Sequence, residues 1–546
     1  MIPTIPQKDN KTDRREKELS SRKRQFQYRN KKSLAPLAEA VKLPLFEKFD
    51  IPYLYRRSKP LAALVMNNYV NWIQHYVWPS RSRKIYSRVF KTIEKPTATD
   101  DCLNDRDFAW QRLAGVNPVV IRRVKNHLPV SFQEKEEQIL KLIQSKSTLS
   151  DVIEDGRLYF TNYEILSGIR EGSYLGNNKV VHDPIVLFFL KKEPGSGDDY
   201  LIPILIQLTQ RGHNDIFISP EDGSDWEMAK WYCQVADAHY HQFVTHLTWS
   251  HLVFEPFPMA TYRRLSSKHP VHVLLKPHFE YSLAINEYGR KELFKPNGYG
   301  ENLFAASIDG LKAISIEAYN RWSFSEFSLE KDIKNRGMEL LGDYPYRDDG
   351  LLVWRAIEKF IGSYLALYYR SDSEVIHDTE LESWLQELIS PKEGNVKGLP
   401  SSLKSINELR DILTNIVYIS SVYHSVVNYP QWDFMGSPLN MATAAYADTF
   451  IKKGGGLSSS VDSDAFPPFK QLLKQMNFIY FISRVYHNYL GQYTAHGFSD
   501  LRAIEVIKEF QSDLSDVEGL INRRNGYRYK SYKAMLPSRI ANSLNS

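Results

Sequence analysis

The stretch HQFVTHLTWSHLVFEPFPMATYRRLSSKHPVHVLLKPHFEYSLAIN, residues 241–286, places three histidines at intervals of five residues. They are His241, His246 and His251, and the apolar surroundings 226–257 predict one long, mostly buried helix. On a regular α-helix, residues five apart are separated by about 140° around the axis. His246 and His251 therefore reach one metal ion only if the helix carries a π-type turn, a rare feature that tends to occur at functional sites. Otherwise the three are unrelated core or capping histidines.

A second polar pair lies in NIVYISSVYHSVVNYPQW, residues 415–432. His424 and Asn428 are four residues apart, so they share one face of an apolar helix. Burying both without partners is costly. Neutral imidazoles suit iron, copper, zinc or nickel. An amide oxygen is a weak further ligand, which favours redox chemistry over a closed structural zinc site.

Composition excludes several classes of protein. The chain has 546 residues, 42% hydrophobic and 25% charged, which is typical of a large globular core or several domains. Its two cysteines, Cys102 and Cys233, exclude a disulfide framework and a four-cysteine zinc site. We expect a cytoplasmic protein, because no apolar run approaches the roughly 18–20 residues of a membrane-spanning helix and the N-terminus resembles no secretory signal.

The positive charge is concentrated at the N-terminus. Residues 1–34 carry net charge +7, which leaves −1 for the remainder of a chain whose total is +6. This composition predicts a basic, flexible tail. Such a tail either is attracted to an anionic membrane, at about 1 kcal/mol per basic residue, or is only a solubilising terminus.

Residues 35–104 are predicted to form a helical N-terminal extension. Within it, Pro60–Trp78 carries apolar residues at helical spacing: Leu61, Leu64, Val65, Tyr69, Trp72, Ile73 and Tyr76. Pro60 suits a first helical turn, and Pro79 ends the helix. The apolar stripe packs on the core or, alternatively, lies in a membrane interface.

Strand signals are few. Residues 185–190 and 201–207 read as a hairpin around a turn with proline and two glycines, and the Gly/Ser-rich residues 454–464 read as a surface loop. The remainder is dominated by helical periodicity. We therefore predict a mainly α fold with a large helical catalytic domain, a small β-hairpin subdomain and a helical N-terminal extension.

The histidine stretch resembles the signature helix of lipoxygenases, His-x4-His-x4-His-x17-His-x8-His. Every spacing is kept, and five further blocks follow the family's order. The matching histidines are His241, His246, His251, His269 and His278; the further blocks are FAWQRLAGVNP (108–118), DYPYRDDGLLVW (343–354), YLALYY (364–369), YLGQY (489–493) and IANSLNS (540–546). The resemblance covers about residues 105–546, the predicted catalytic domain, and is to bacterial-type members without the N-terminal β-sandwich domain.

The resemblance implies one non-haem iron per chain, with manganese as an alternative. It assigns the protein ligands as His246, His251, His424, Asn428 and the C-terminal carboxylate. The last residue is usually isoleucine in the family, whereas here it is Ser546. Two glutamines, Gln242 and Gln431, either orient ligands or are ordinary buried amides bonded to backbone.

The implied activity is insertion of O2 into polyunsaturated fatty acids that carry a 1,4-pentadiene, of the linoleate type. In the family, the position of Gly289 is typically glycine in R-specific and alanine in S-specific enzymes. Gly289 therefore predicts R-hydroperoxides, with oxygenation at carbon 9 favoured and 11 or 13 open. Leu293, one helical turn further on, is expected to clamp the pentadiene.

Two rival functions and several partner questions stay open at this point. The same site could isomerise fatty acid hydroperoxides to epoxy alcohols, or the chain could be a non-catalytic membrane- or lipid-binding protein. We expect a monomer that associates reversibly with membranes through residues 1–80, and no nucleic-acid partner, since the tail has few aromatic residues for stacking. The segment after Asn428 lacks the arginine that plant relatives carry, so the direction of substrate entry is undecided.

Overall fold

The computed structural model describes residues 2–29, 33–77, 84–99, 103–174, 176–192, 199–210, 216–448, 462–484, 488–493 and 497–546. Most of the predicted Gly/Ser-rich loop at 454–464 lies outside these ranges, as does Trp78. Helices dominate the described residues, and the fold class predicted from the sequence is confirmed.

The α-helices of the first half are α1 Thr12–Gln25, α2 Ile51–Val77, α3 Lys84–Ser87, α4 Asp105–Ala114, α5 Glu136–Leu142, α6 Leu149–Glu154, α7 Ser224–Tyr240, α8 Pro256–Arg264, α9 Pro270–Leu275 and α10 Ser282–Phe294. Those of the second half are α11 Tyr299–Leu303, α12 Ile308–Arg321, α13 Leu329–Arg336, α14 Pro345–Leu365, α15 Asp372–Ile376, α16 Thr379–Ile389, α17 Ile406–Tyr418, α18 His424–Asn428, α19 Gln431–Met435, α20 Asp462–Ala465, α21 Phe469–Ser483 and α22 Leu501–Asn525. Two π-helices, His241–Leu252 and Ile419–Tyr423, interrupt this series. Short 3-10 turns occur at Pro6–Lys8, Leu45–Glu47, Val130–Lys135, Glu164–Leu166, Pro220–Asp222, Lys276–His278 and Pro537–Arg539.

The strands are β1 Arg122–Arg123, β2 Leu158–Asn162, β3 Ser173–Tyr174, β4 Asn177–Asn178, β5 Ile185–Lys192, β6 Asp199–Gln207 and β7 Phe217–Ile218. The predicted hairpin is confirmed as the antiparallel pair β5–β6. It is the centre of a larger, fully antiparallel sheet in the order β1-β2-β5-β6-β7, while β3 and β4 pair separately.

Strand β5 joins two apolar clusters. Because successive side chains of a strand point to opposite faces, Leu187 packs in a local cluster with Phe132 and Ile139. Its neighbours Val186 and Phe188 belong to the main core, which extends through the helical body. The sheet is therefore a subdomain that packs its own small core on one face and the helical body on the other.

The N-terminal residues are not the flexible tail that their charge predicts. Helix α1 packs against α8. Its buried Arg15 forms a paired ion contact with Glu380, at 2.7 and 3.0 Å, and a further one with Asp9 at 2.9 Å. The prediction of a mobile 1–34 segment is wrong for these residues, because the anion that holds Arg15 comes from a helix more than 360 positions away.

Helix α2 corrects a second expectation. It begins at Ile51, nine residues before Pro60, so the proline lies inside the helix. Its polar residues Asn67 and Asn71 are buried, and both donate to the Val89 carbonyl. The predicted apolar stripe faces outward: Leu61, Val65, Tyr69, Trp72 and Ile73 are exposed, Leu64 is buried, and the Tyr76 side chain lies outside the described residues. The helix therefore docks by a mixed face that includes Tyr53 and Leu64 as well as the two asparagines.

Within the part of the chain that the structure describes, no helix is both long and apolar enough to cross a bilayer.

Candidate metal centre and substrate pocket

Helix α7 runs without a break into the π-helix His241–Leu252. The wider hydrogen bonding is seen where the amide of Val253 donates to the Thr248 carbonyl, five residues earlier. The π-type turn that the five-residue histidine spacing requires is therefore present. It brings His246 and His251 close together, with ring centroids 5.1 Å apart and ring planes at 81°.

The second helix contributes from the opposite side. Helix α18 follows the π-helix Ile419–Tyr423 and starts at His424. The ligand atoms of His246, His251 and His424 lie within 4.8 Å of one another, and all three residues are buried. Two segments far apart in the sequence thus form one compact group of imidazoles.

Hydrogen bonds assign the tautomer of His251. The Asn286 amide nitrogen donates to the His251 carbonyl at 2.8 Å, and a carbonyl can only accept. The amide oxygen of Asn286 therefore faces His251 Nδ1, at 3.0 Å, and accepts its proton. This leaves the Nε2 lone pair of His251 available to a metal.

Gln242 lies beside the other π-helix ligand candidate. Its side-chain amide is 3.2 Å from His246 Nδ1, and its oxygen is buried without a partner among the described residues. The two ends of a glutamine amide are nearly identical in shape. With the oxygen turned toward Nδ1, Gln242 accepts the His246 proton. His246 then also presents Nε2 as a lone pair.

The free nitrogens of this group fit a metal ion. Nε2 of His246 and both ring nitrogens of His424 are buried with no partner at hydrogen-bonding geometry among the described residues. Burial lowers the pKa of His251 to about 4 and holds the pKa values of His246 and His424 well below their usual range, where neighbouring imidazoles add to the effect. Neutral imidazoles with unused lone pairs are costly in a core, and a transition metal would use them.

Asn428 and Ser546 complete the group. The Asn428 amide nitrogen donates to the Ile482 carbonyl at 3.2 Å and to the Ser546 hydroxyl at 2.7 Å. Gln431 donates to the Asn428 side-chain oxygen at 2.9 Å and to its main-chain oxygen at 2.9 Å. The Asn428 side chain also opposes the pKa depression at His246, so it lies close to that ring.

The end of the chain is buried and anchored. The Ile540 carbonyl accepts from the Leu490 amide at 2.8 Å, and the Asn542 carbonyl bonds Nδ1 of His278 at 2.8 Å. Ser546 is buried and lines the pocket. Its main chain approaches His424 closely enough to oppose the pKa depression there.

A narrow, largely apolar pocket adjoins the histidines. Gly289 and Leu293 of α10 line it together with Gln242, His246, His251 and Ser546. A Cβ placed on Gly289 would meet nothing within 4 Å, so the glycine leaves open space at this point. The other residues that line the pocket are Arg57, Leu247, Ile285, Asn286, Tyr288, Glu292, Tyr299, Phe478, Phe481 and Ile482. The structure thus brings close together all nine candidate site residues predicted from the sequence, namely the five candidate metal ligands together with Gln242, Gln431, Gly289 and Leu293.

Sequence reasoning missed three residues of this region. Asn286 gives a weak signal, a polar side chain on an apolar helix. Arg57 and Tyr53 give none, because their role depends on which face of α2 docks. Both are buried, and both lie in the extension that the sequence places outside the catalytic domain.

Comparisons with known proteins agree with this geometry. The family model described as Lipoxygenase matches residues 5–534, so the match includes the N-terminal region before residue 105. The chain is 35% identical over 485 residues to a linoleate 9/13-lipoxygenase of Pseudomonas aeruginosa, covering 84% of this chain and 69% of that protein.

Solved structures agree as well. A lipoxygenase in complex with arachidonate superposes with a TM-score of 0.92 at 28% identity, covering 100% of this chain and 84% of the other. A coral 8R-lipoxygenase gives a TM-score of 0.90 at 29% identity, covering 100% of this chain and 83% of the other.

Proposed function

Because this chain belongs to the lipoxygenase family of dioxygenases, we propose that it oxygenates free linoleate-type fatty acids to R-hydroperoxides with non-haem iron. The observation that carries the proposal is the group of three buried, neutral imidazoles beside an apolar pocket, with ligand atoms within 4.8 Å. A chain that only bound lipid would gain nothing from burying these unpaired nitrogens.

Five groups would hold the iron: the side chains of His246, His251, His424 and Asn428, and the carboxylate of Ser546. When bound, iron supplies the one-electron oxidation that removes a hydrogen from the bis-allylic carbon of the substrate. Asn286 holds the His251 proton on Nδ1, and Gln242, with its amide oxygen turned toward His246, would hold the His246 proton in the same way, which leaves both Nε2 atoms free. Manganese would find the same ligands, and elemental analysis of the purified protein distinguishes the two metals.

The pocket walls would hold the acyl chain. Leu293 and Ile285 of α10 and Leu247 of the π-helix present apolar surface next to the histidines. These side chains exclude water from a reactive carbon radical and limit where O2 can reach it. The open space at Gly289 supports entry of O2 on the side that produces the R configuration.

Arg57 is our candidate for binding the substrate carboxylate. Its side chain is 9% exposed and lines the pocket. It lies over the ring of Phe481 at 4.4 Å and donates to the Tyr53 hydroxyl at 3.2 Å, and no acidic side chain among the described residues pairs with it. Glu292, which lines the same pocket, is paired with Lys295 at 2.6 Å.

A buried guanidinium without a counter-ion is unfavourable, and a fatty acid carboxylate would supply that ion. Arg57 would bind the carboxylate in place of the arginine that is missing after Asn428. The acid enters with its carboxylate retained near α2, and the methyl end lies deeper.

The exposed apolar face of α2 supports reversible docking on an anionic bilayer through residues 1–80. Ile51, Leu54, Val65, Tyr69 and Trp72 are all more than 50% exposed. The basic side chains Lys42, Lys48, Arg56 and Lys59 are exposed on and beside the same helix. An apolar face flanked by cations is the pattern of an interfacial helix. Because Arg57 is on this helix, the lipid-contact face and the pocket share one structural element.

The test is oxygen uptake by metal-analysed protein on linoleic acid, with chiral chromatography of the product. Uptake with an R-hydroperoxide is expected, with 9R as the main product. An S product would contradict the role of Gly289 while leaving the dioxygenase intact. Iron-loaded protein that consumes no O2 but converts a fatty acid hydroperoxide would be an isomerase.

A further inference from the structure

Helix α2 contacts the main chain beside the terminal carboxylate. The hydroxyl of Tyr53 donates a hydrogen bond to the backbone carbonyl of Asn545, the residue before Ser546. The two residues are 492 positions apart in the chain. Tyr53 is fully buried, so water does not compete for this bond.

The direction of the bond follows from a neighbour. Arg57 Nη1 lies 3.2 Å from the same hydroxyl oxygen, and a guanidinium can only donate. Tyr53 therefore accepts from Arg57 and uses its own proton for the Asn545 carbonyl. Arg57, Tyr53 and Asn545 are thus joined by two consecutive hydrogen bonds, from a residue that lines the pocket to the chain end.

The ring of Tyr53 is held on both sides. It stacks on Phe49 with centroids 4.5 Å apart and planes at 8°, and it packs against Tyr281 at 4.5 Å. Such packing leaves the hydroxyl little freedom. Upstream, the chain end is anchored where the Ser543 hydroxyl donates to the Glu280 carbonyl at 2.9 Å. The Tyr53 bond holds the residues that follow.

We propose that Tyr53 is a positioning residue for the carboxylate of Ser546, so that the docked N-terminal helix preorganises the metal site. The inference rests on the proposed function in one respect, namely that this carboxylate is a metal ligand. A terminus that is already ordered loses less conformational entropy when a metal binds, and affinity rises accordingly. Displacement of α2, for instance by lipid, would loosen the terminus and weaken metal binding.

The first test uses Tyr53→Phe, which keeps the stacked ring and removes only the hydroxyl. The matched control is Tyr55→Phe on the same helix, where the side chain is 64% exposed. The dissociation constant for Fe²⁺ is measured anaerobically on metal-free protein by competition with a chelator. Loss of one buried hydrogen bond predicts a rise of about three- to tenfold for Tyr53→Phe and none for Tyr55→Phe.

The second test needs no metal. Carboxypeptidase is added to metal-free protein and the release of serine is followed, with thermal unfolding recorded to verify that each variant is folded. We expect Ser546 to be released several-fold faster from Tyr53→Phe than from the wild type or Tyr55→Phe. Equal affinities together with equal release rates would overturn the proposal.

The two tests separate this inference from the proposed function. If the wild type binds no Fe²⁺, the iron proposal fails, while the release rates still decide whether Tyr53 holds the chain end. If the wild type binds Fe²⁺ and both variants match it in affinity and release, only the role of Tyr53 fails.

Discussion

The hydroxyl of Ser546 accepts a 2.7 Å hydrogen bond from the side-chain amide of Asn428. The same amide nitrogen also donates to the Ile482 carbonyl, and the Asn428 oxygen accepts from Gln431. An isoleucine, the usual last residue of the family, has no acceptor for this bond. In place of apolar packing, serine thus offers a hydrogen bond that orients the Asn428 amide.

The first prediction concerns this hydroxyl. Ser546→Ala keeps the terminal carboxylate but leaves one Asn428 proton unpaired, and we expect Fe²⁺ to bind about two- to tenfold more weakly. Chelator competition on metal-free protein measures the effect. The control is Ser538→Ala, since the Ser538 hydroxyl bonds Glu518 instead. An unchanged dissociation constant for Ser546→Ala would show that Ile482 and Gln431 are sufficient to orient the amide.

The second prediction concerns stereochemistry. Gly289→Ala places a methyl group in open space inside the pocket, so it should fit without strain. We expect the product to shift from R toward S. Stability should rise by about 0.5–1 kcal/mol, because alanine favours a helix over glycine.

Chiral chromatography and thermal unfolding check both parts. Gly519→Ala in α22 is the matched control, because a Cβ there has its nearest contact at 3.7 Å. It should gain stability without any change of product. An unaltered R product from Gly289→Ala would contradict the steric argument.

The third prediction concerns substrate charge. Arg57→Met removes the guanidinium and keeps an unbranched side chain in the pocket, so KM for linoleic acid should rise about tenfold or more. KM for methyl linoleate should be unchanged, because the ester offers no negative charge. Arg56→Met, at the exposed neighbouring position, serves as the control. Equal losses on acid and ester would mean that Arg57 only shapes the pocket.

The fourth prediction concerns the outer face of α2. The triple variant Val65→Ser, Tyr69→Ser, Trp72→Ser removes apolar surface that is 60–64% exposed, so folding should be unaffected. Binding to vesicles with anionic lipid should fall by about tenfold or more, given the transfer energy of these side chains. Co-sedimentation measures it.

The control for vesicle binding is Leu340→Ser, which replaces another strongly exposed apolar residue outside α2. It should bind vesicles like the wild type. Full binding by the triple variant would exclude α2 as the lipid-contact surface.

The fifth prediction concerns acid stability of the metal-free protein. Burial lowers the pKa values of His239, His272 and His278 to about 4. Between their unfolded pKa of about 6.5 and this value, the unfolded chain binds protons that the native state does not. The contribution of these histidines to the free energy of unfolding is therefore complete above about pH 7. It decreases as the pH falls, by about 2 kcal/mol per histidine at pH 5.

Glu47 acts in the opposite sense. Burial raises the pKa of Glu47 to about 7, so Glu47 takes up a proton in the native state before it does so in the unfolded chain. On acidification this stabilises the native state by about as much as one of the histidines destabilises it. Urea unfolding at pH 8 and pH 5 measures the difference. His272→Gln should reduce the decrease in the free energy of unfolding between these two pH values by the contribution of one histidine, about 2 kcal/mol. A stability that does not change between these pH values would contradict the prediction.

Much of the candidate site is predictable from the sequence because its elements are local. The five-residue spacing of His246 and His251 demands a π-type turn, and the four-residue spacing of His424 and Asn428 demands one face of a helix. Gln242 and Gln431 are adjacent to these ligands on the same segments. Their contacts follow from helix geometry.

In the N-terminal region, local residue spacing does not predict which side of the helix is buried. An apolar stripe on a helix normally predicts the buried face, and for α2 the stripe is exposed while Asn67 and Asn71 are buried. The face that carries Asn67 docks because the backbone of residues 89–92 forms hydrogen bonds with this side chain. No periodicity in α2 itself can reveal such a partner.

The sequence by itself determined the candidate ligand residues, the helices that carry them and the family of the chain, since these depend on spacings of a few residues. Tertiary structure alone decided that α2 exposes its apolar face, that Arg57 enters the pocket and that Tyr53 holds Asn545. The physical reason is distance along the chain. A buried polar group takes its partner wherever folding supplies one, and here the partners lie 22 residues away for Asn67 and 492 residues away for Tyr53.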